Sequence, residues 1–165
     1  ARDKLVSAKL TAGDDEIVLI SRKGNALRFH EQAVRAVGRA SRGVTGIRLS
    51  KEDELVGVLP VIENEQIFIV SEFGYGKRIE YNNFTPHNRA TRGQICYKAT
   101  DKSGEIAGVL SVKKKDDIVC ITSKGHTLKV RVNEIPVLGK NARGVRIVNI
   151  EKPDIVIGTA RVEKE

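Results

Sequence analysis

The sequence contains no methionine and no tryptophan, and aromatic residues make up only 4% of it. Stacking platforms of the kind that single-strand binders use are correspondingly scarce. Cysteine occurs twice, at Cys96 and Cys120, without a Cys-x-x-Cys spacing. A disulfide framework and a thiolate metal site are thereby excluded, and both thiols are expected in the core. No run approaches the ~18 apolar residues of a membrane-spanning helix, so no membrane partner is expected. The chain opens at Ala1 with no charged-then-apolar leader, which reads as an excerpt of a cytoplasmic protein without a signal peptide. His30, His87 and His126 fall at non-equivalent places with no nucleophile or ligand partner at a recognisable spacing, and there is no Gly-rich phosphate loop. No catalytic residue, metal or cofactor is expected, and the chain reads as non-enzymatic.

Positive charge is what the sequence has in excess. Lys and Arg number 29 against 21 acidic residues, for a net charge of +8 and a pI near 9.6. Such an excess favours a polyanionic partner through counterion release. The length of 165 residues suits one or at most two domains with a sizeable core.

The sequence repeats itself three times. Glu16-Ile17-Val18-Leu19-Ile20-Ser21-Arg22-Lys23-Gly24 returns as Gln66-Ile67-Phe68-Ile69-Val70-Ser71-Glu72-Phe73-Gly74 and as Asp117-Ile118-Val119-Cys120-Ile121-Thr122-Ser123-Lys124-Gly125, with the glycines 50 and 51 residues apart. A second block, Gly38-Arg39-Ala40-Ser41-Arg42-Gly43, returns in the same register as Asn88-Arg89-Ala90-Thr91-Arg92-Gly93 and Gly139-Lys140-Asn141-Ala142-Arg143-Gly144. Apolar runs of four to six residues, rich in Val and Ile and stopped by Gly, Asn or Asp, mark strands joined by turns. Only Glu31 to Val37 suggests a short helical turn. A closing strand recurs four times, as Leu5-Val6-Ser7-Ala8, Leu55-Val56-Gly57-Val58, Ile106-Ala107-Gly108-Val109 and Val156-Ile157-Gly158-Thr159. Residues 1–9 therefore read as the closing strand of a preceding unit, and the units run approximately over 10–61, 62–112 and 113–162.

All-β units of ~40–50 residues with about four strands each are propeller-like blades. The expected fold is all-β, with three four-stranded blades. Because propellers close with roughly four to eight blades, three make an open arc. Its exposed ends predict head-to-tail self-association. A β-solenoid is the alternative, but its coils are generally shorter than ~30 residues.

Three internal copies show which side chains persist. Val18, Phe68 and Val119, or Val34, Phe84 and Ile135, keep only apolar character, as packing requires. Gly24, Gly74 and Gly125 sit where a hairpin needs a positive φ. Three sets keep a cation: Arg28, Arg78 and Lys129; Arg39, Arg89 and Lys140; Arg42, Arg92 and Arg143. An ordinary charged surface would let the sign drift between copies, so these sets are the candidate phosphate contacts, joined by Lys77, with the backbone beside Gly43, Gly93 and Gly144 free to approach phosphate. Arg22, Lys23, Arg35, Arg48, Lys98, Lys124 and Arg131 add to the field without being assigned contacts. With few aromatics and no helix for the major groove, duplex binding with low sequence specificity is expected.

These motifs also carry a resemblance. Gly74-Tyr75-Gly76-Lys77-Arg78, Val34-Arg35-Ala36-Val37-Gly38-Arg39, Gly43-Val44-Thr45-Gly46-Ile47-Arg48-Leu49 and Gly144-Val145-Arg146-Ile147 resemble, in order and spacing, the last three blades of the C-terminal region of the DNA gyrase A family. The resemblance covers essentially the whole chain. It implies a β-pinwheel, a six-bladed relative of the propeller whose neighbouring blades exchange strands. It also implies DNA wrapping with positive superhelical sense around a basic rim, in support of negative supercoiling by an ATP-dependent type II topoisomerase. The three loop blocks look like degenerate copies of the family's gyrase box, Gln-Arg-Arg-Gly-Gly-Lys-Gly, with Arg42, Arg92 and Arg143 at the box Lys and Arg39, Arg89 and Lys140 at its second Arg. No copy carries the full box. The family's strand-cleaving tyrosine lies in another domain, and Tyr75, Tyr81 and Tyr97 do not match its signature. The implied partners are double-stranded DNA, the rest of the gyrase A polypeptide and the gyrase B polypeptide, at the nucleoid of a bacterial cytoplasm. The C-terminal domain of the corresponding polypeptide of topoisomerase IV is similar too, and a propeller that binds proteins through a face is the competing class. The regular three-blade spacing favours gyrase.

Overall fold

A computed structural model describes residues 3–164, and their regular structure is β-strand with single 3-10 turns. The chain follows one path three times. In the first repeat β1 (Glu16–Ser21) turns into β2 (Asn25–His30), a 3-10 turn follows at Glu31–Ala33, and after a long loop β3 (Leu55–Pro60) returns antiparallel to β1. The second repeat gives β4 (Gln66–Ser71), β5 (Tyr75–Glu80), a 3-10 turn at Tyr81–Asn83, a two-residue β6 (Gln94–Ile95) and β7 (Ile106–Val112). The third gives β8 (Asp117–Thr122), β9 (Thr127–Arg131), a 3-10 turn at Val132–Glu134, β10 (Val145–Arg146) and β11 (Val156–Val162). The helical turn expected near Glu31 is thus real, and it recurs in each repeat.

Repeated chemistry sets the hairpins. The amides of Gly24, Gly74 and Gly125 donate to the carbonyls of Ser21, Ser71 and Thr122, whose hydroxyls accept the amides of Asn25, Tyr75 and His126. The glycines take φ of +95°, +80° and +84°, which a side chain rarely tolerates.

The strands form three sheets in the orders β3-β1-β2-β6, β7-β4-β5-β10 and β11-β8-β9. Strand exchange is visible in these orders. The outermost strand of the first sheet, β6, belongs to the second repeat, and that of the second sheet, β10, belongs to the third. The expectation of three four-stranded blades is corrected accordingly: the third sheet has three strands among the described residues, because each fourth strand comes from the following repeat.

β1 and β4 are apolar between their polar end residues because both of their faces are covered. Val18, Ile20 and Leu59 of the first sheet meet Ile67, Ile69 and Ile79 of the second in one core, while Phe68 and Val70 meet Ile118, Cys120 and Ile135 in the next. Both cysteines are buried and reduced, as expected. The closing strands converge, β3 against β7 and β7 against β11. At this inner edge a Cβ on Gly57 would lie 2.0 Å from Val109 Cγ2, and one on Gly108 would lie 2.7 Å from Thr159 Cγ2. The loops that follow the 3-10 turns lie at the opposite, outer edge.

Leu5–Ala8 is not a strand, contrary to expectation. Leu5 is 89% exposed, although Val6, Ser7 and Lys9 line a cleft together with β3 and β7. The physical reason is pairing. A closing strand hydrogen-bonds to the central strand of its own blade, as β3 does to β1, and only packs against the next closing strand. A lone copy has no ladder to join.

Candidate nucleic-acid interface

The long loops of the second and third repeats are each fastened to the repeat before them. In the second repeat the amides of His87 and Ala90 donate to the carbonyls of Arg28 and Gly46, and in the third Leu138 donates to Arg78. Gly93 and Gly144 then cross close over the preceding blade at φ of +73° and +91°, where a Cβ would lie 2.3 Å from the Ala26 carbonyl oxygen and 2.6 Å from that of Gly76. These two glycines are needed for the close backbone crossing. Gly43 takes φ +77° with open space around it.

The ten candidate contact residues separate into two groups. Arg28, Lys77 and Arg78 lie inside the seams between blades. Arg28 pairs with Glu16 through Nε at 2.7 Å, and its Nη1 donates to the carbonyls of Tyr81 and Phe84 in the next repeat at 3.0 and 3.3 Å. Arg78 repeats the arrangement, donating to Gln66 Oε1 and to the Ile135 carbonyl, both at 2.7 Å. Burial lowers the Arg78 guanidinium below its ordinary value. Lys129, third of the set, is exposed and holds Asp117 at 2.9 Å; Lys164 and Lys129 together keep that carboxyl below the usual carboxylate range. The persistent cation of this set therefore serves an acceptor at Glu16, Gln66 or Asp117 and, where a next blade follows, the carbonyl end of its 3-10 turn.

Lys77 is fully buried, and its Nζ donates to the carbonyls of Gly139, Lys140 and Ala142. Arg89 is half-buried and turned inward, with Nε to the Ala33 carbonyl at 2.8 Å and Nη1 to the Thr45 carbonyl at 2.9 Å. Lys140 is half-buried and reaches Gln94 Oε1 at 2.6 Å.

Arg39, Arg42, Arg92 and Arg143 remain exposed on the outer loops. Among the described residues, Arg39, Arg42 and Arg92 form neither an ion pair nor a side-chain hydrogen bond. Arg42, Arg92 and Arg143 occupy one equivalent position, so at that position the outer edge carries one exposed guanidinium per repeat. Arg143 lies 5.7 Å from the Tyr75 ring centre, and Arg146 lies 5.5 Å from it with Nη2 3.4 Å from the phenol oxygen. Arg146 is exposed and joins this surface. Sequence reasoning missed it because its counterparts are Thr45 and Ile95, which share no sign.

Of the other basic residues, Arg22 is tied to Glu72 and Glu105, and Arg131 pairs with Glu134. Lys23 Nζ donates to the Lys51 carbonyl. Arg35, Arg48, Lys98 and Lys124 are exposed. No group of His, Cys, Asp and Glu among the described residues is arranged to hold a metal ion, and no described helix is long and apolar enough to cross a membrane.

The chain matches the family described as DNA gyrase C-terminal domain, beta-propeller, over residues 15–62, 65–113 and 116–163. It is 38% identical over 160 residues to the DNA gyrase A protein of Salmonella typhimurium, covering 97% of this chain and 18% of that protein. It is also 38% identical over 163 residues to the DNA gyrase A protein of Aminobacterium colombiense, covering 99% and 20%. A solved DNA gyrase A C-terminal domain superposes with a TM-score of 0.84 at 30% identity, over 91% of this chain and 51% of that one. The C-terminal domain of DNA topoisomerase IV superposes with 0.87 at 27% identity, over 94% and 49%. The chain thus spans about a fifth of the curated relatives and about half of the solved domains.

Proposed function

The chain belongs to the DNA gyrase C-terminal domain family of β-propellers, and from that premise we propose that it binds duplex DNA along its outer edge. The observation that carries this reading is the exposed guanidinium of Arg42, Arg92 and Arg143 at one equivalent loop position in each repeat. Blades placed around an arc turn these three into a curved row, and a guanidinium fork matches phosphate geometry. Arg39 extends the row. Contacts of this kind position a duplex without reading its bases.

In the parent protein the row would serve to wrap DNA, with the rest of gyrase A and its gyrase B partner supplying strand cleavage and ATP chemistry in the bacterial cytoplasm. This domain would then be non-catalytic. The fold likeness to topoisomerase IV leaves the edge-binding reading unchanged.

Titration of a linear duplex across a salt series tests the proposal. Four or more phosphate contacts give a slope of log K against log salt of about −4 or steeper, at about 0.9 per contact. Replacing Arg42, Arg92 and Arg143 together by Glu should remove most of the binding while leaving the unfolding midpoint nearly unchanged, since exposed substitutions shift stability by only about 0.5 kcal/mol each. Full affinity in that triple variant would refute the edge model.

A further inference from the structure

Lys77 stands in the middle of β5, where the first repeat carries Leu27. Both are fully buried, so the position is an interior one in both blades. Leu27 packs among Ile17, Leu19 and Phe29. The Lys77 ammonium instead meets the carbonyl oxygens of Gly139 and Lys140, at 2.9 and 3.0 Å, together with that of Ala142. An ammonium has three hydrogens and no acceptor, so these carbonyls use its full donor capacity. The Gly139 carbonyl also accepts the Ala142 amide, so the ammonium grips a turn that is already closed on itself.

The caged loop carries the third-repeat cations. It crosses the outer edge between the first two blades, where Lys140 reaches back to Gln94 of β6 and Arg143 lies over the Tyr75 ring. The other loops are held differently. The second-repeat loop is fastened by its own Arg89, at the carbonyls of Ala33 and Thr45. In the first-repeat loop, neither Arg39 nor Arg42 makes such a clamp among the described residues.

We propose that Lys77 is a positioning residue: a buried, chain-tethered cation whose three carbonyl ligands fix the third-repeat loop so that Arg143 is presented to DNA. It acts through the loop and never touches phosphate. The inference rests on the edge-binding reading above.

The test compares the full chain with Lys77→Leu, Arg143→Gln and the double variant. Leucine is chosen because the first blade already accommodates it at this position, and Lys77→Met is the second choice if Lys77→Leu does not fold. Two readouts are needed. Backbone amide exchange over 139–144 should rise at least tenfold in Lys77→Leu, while β4 and β5 stay protected. Duplex affinity should fall by about the same factor in Lys77→Leu as in Arg143→Gln, the salt slope becoming shallower by about one. The double variant should fall little further, because an unfixed loop has already lost the Arg143 contact. Losses that multiply in the double variant, with exchange unchanged, would overturn the proposal in favour of direct contact. A loosened loop with unaltered affinity would overturn it as well. If the parent chain itself fails to bind duplex, the edge-binding reading falls and the positioning role with it, whereas the exchange result still decides whether the cage holds the loop.

Discussion

Burial and charge oppose each other at Lys77. Burial pushes its ammonium down to about 8, from an ordinary value of 10.5. The ionisable group facing it is the Cys96 thiol, which burial pushes up to about 12 and so keeps neutral. Lys140 is the one charged residue of the caged loop's inner turn, and its own ammonium is turned to Gln94. In the unfolded chain Lys77 stays protonated to about 10.5. Between about 8 and 10.5 the unfolded state therefore binds more protons, and this group's contribution to stability rises with pH; below about 8 its desolvation cost is present in full. Lys77→Leu lacks the titration. Urea unfolding of both proteins at a series of pH values should show their difference shifting in favour of the parent across that window. A difference that stays flat would mean that the ammonium is not depressed.

The same scale shows what could be read from the sequence. Arg42, Arg92 and Arg143 were expected on the surface because they sit in turn-rich loops, and all three are exposed. Arg28 and Arg78 kept their sign for an internal reason. A signal for that existed: Glu16, Gln66 and Asp117 preserve an acceptor in step with the cation, and the side chains meet. Arg89 and Lys77 were not legible, since their carbonyl partners lie 44 to 65 residues away and backbone acceptors leave no mark in a sequence.

Among the elements, the long strands were legible from their apolar runs and turn residues. The exchanged strands were not: β6 and β10 have two residues each, and their partners lie in the preceding repeat. The glycine that precedes each of them owes its place to this exchange. At Gly93 and Gly144 a side chain would meet both a left-handed φ and a carbonyl oxygen under 3 Å away, whereas at Gly43 only φ is adverse. Gly93→Ala and Gly144→Ala should each destabilise by about 2–4 kcal/mol, and Gly43→Ala by about 1–2 kcal/mol. Denaturant midpoints of the three variants check this. Equal losses would mean that the crossing has room to spare.

Across the whole molecule, the third-sheet end of the arc differs from the rest. Gly57 and Gly108 are covered by the next closing strand, but Gly158 has open space, and Ile121 and Ile157 of the third sheet are 40% and 58% exposed. The outer side of β9 carries no donated strand among the described residues. Unpaired edges beside apolar surface seek another chain. For the 165-residue chain on its own, head-to-tail association is therefore expected as concentration rises from micromolar toward millimolar. Light scattering on a sizing column would report it, and a monomeric mass throughout would count against it.

Strand donation also sets a timetable for synthesis. The first blade has its three long strands once Pro60 has been made, yet its fourth begins only at Gln94. At roughly 5–20 residues per second, the ribosome takes about 2–7 seconds to cover that interval. Through that delay the outer side of β2 is left unpaired on the nascent chain. By the time the first blade closes, the central hairpin of the second has already emerged, so a folded blade always trails the growing end by most of a repeat.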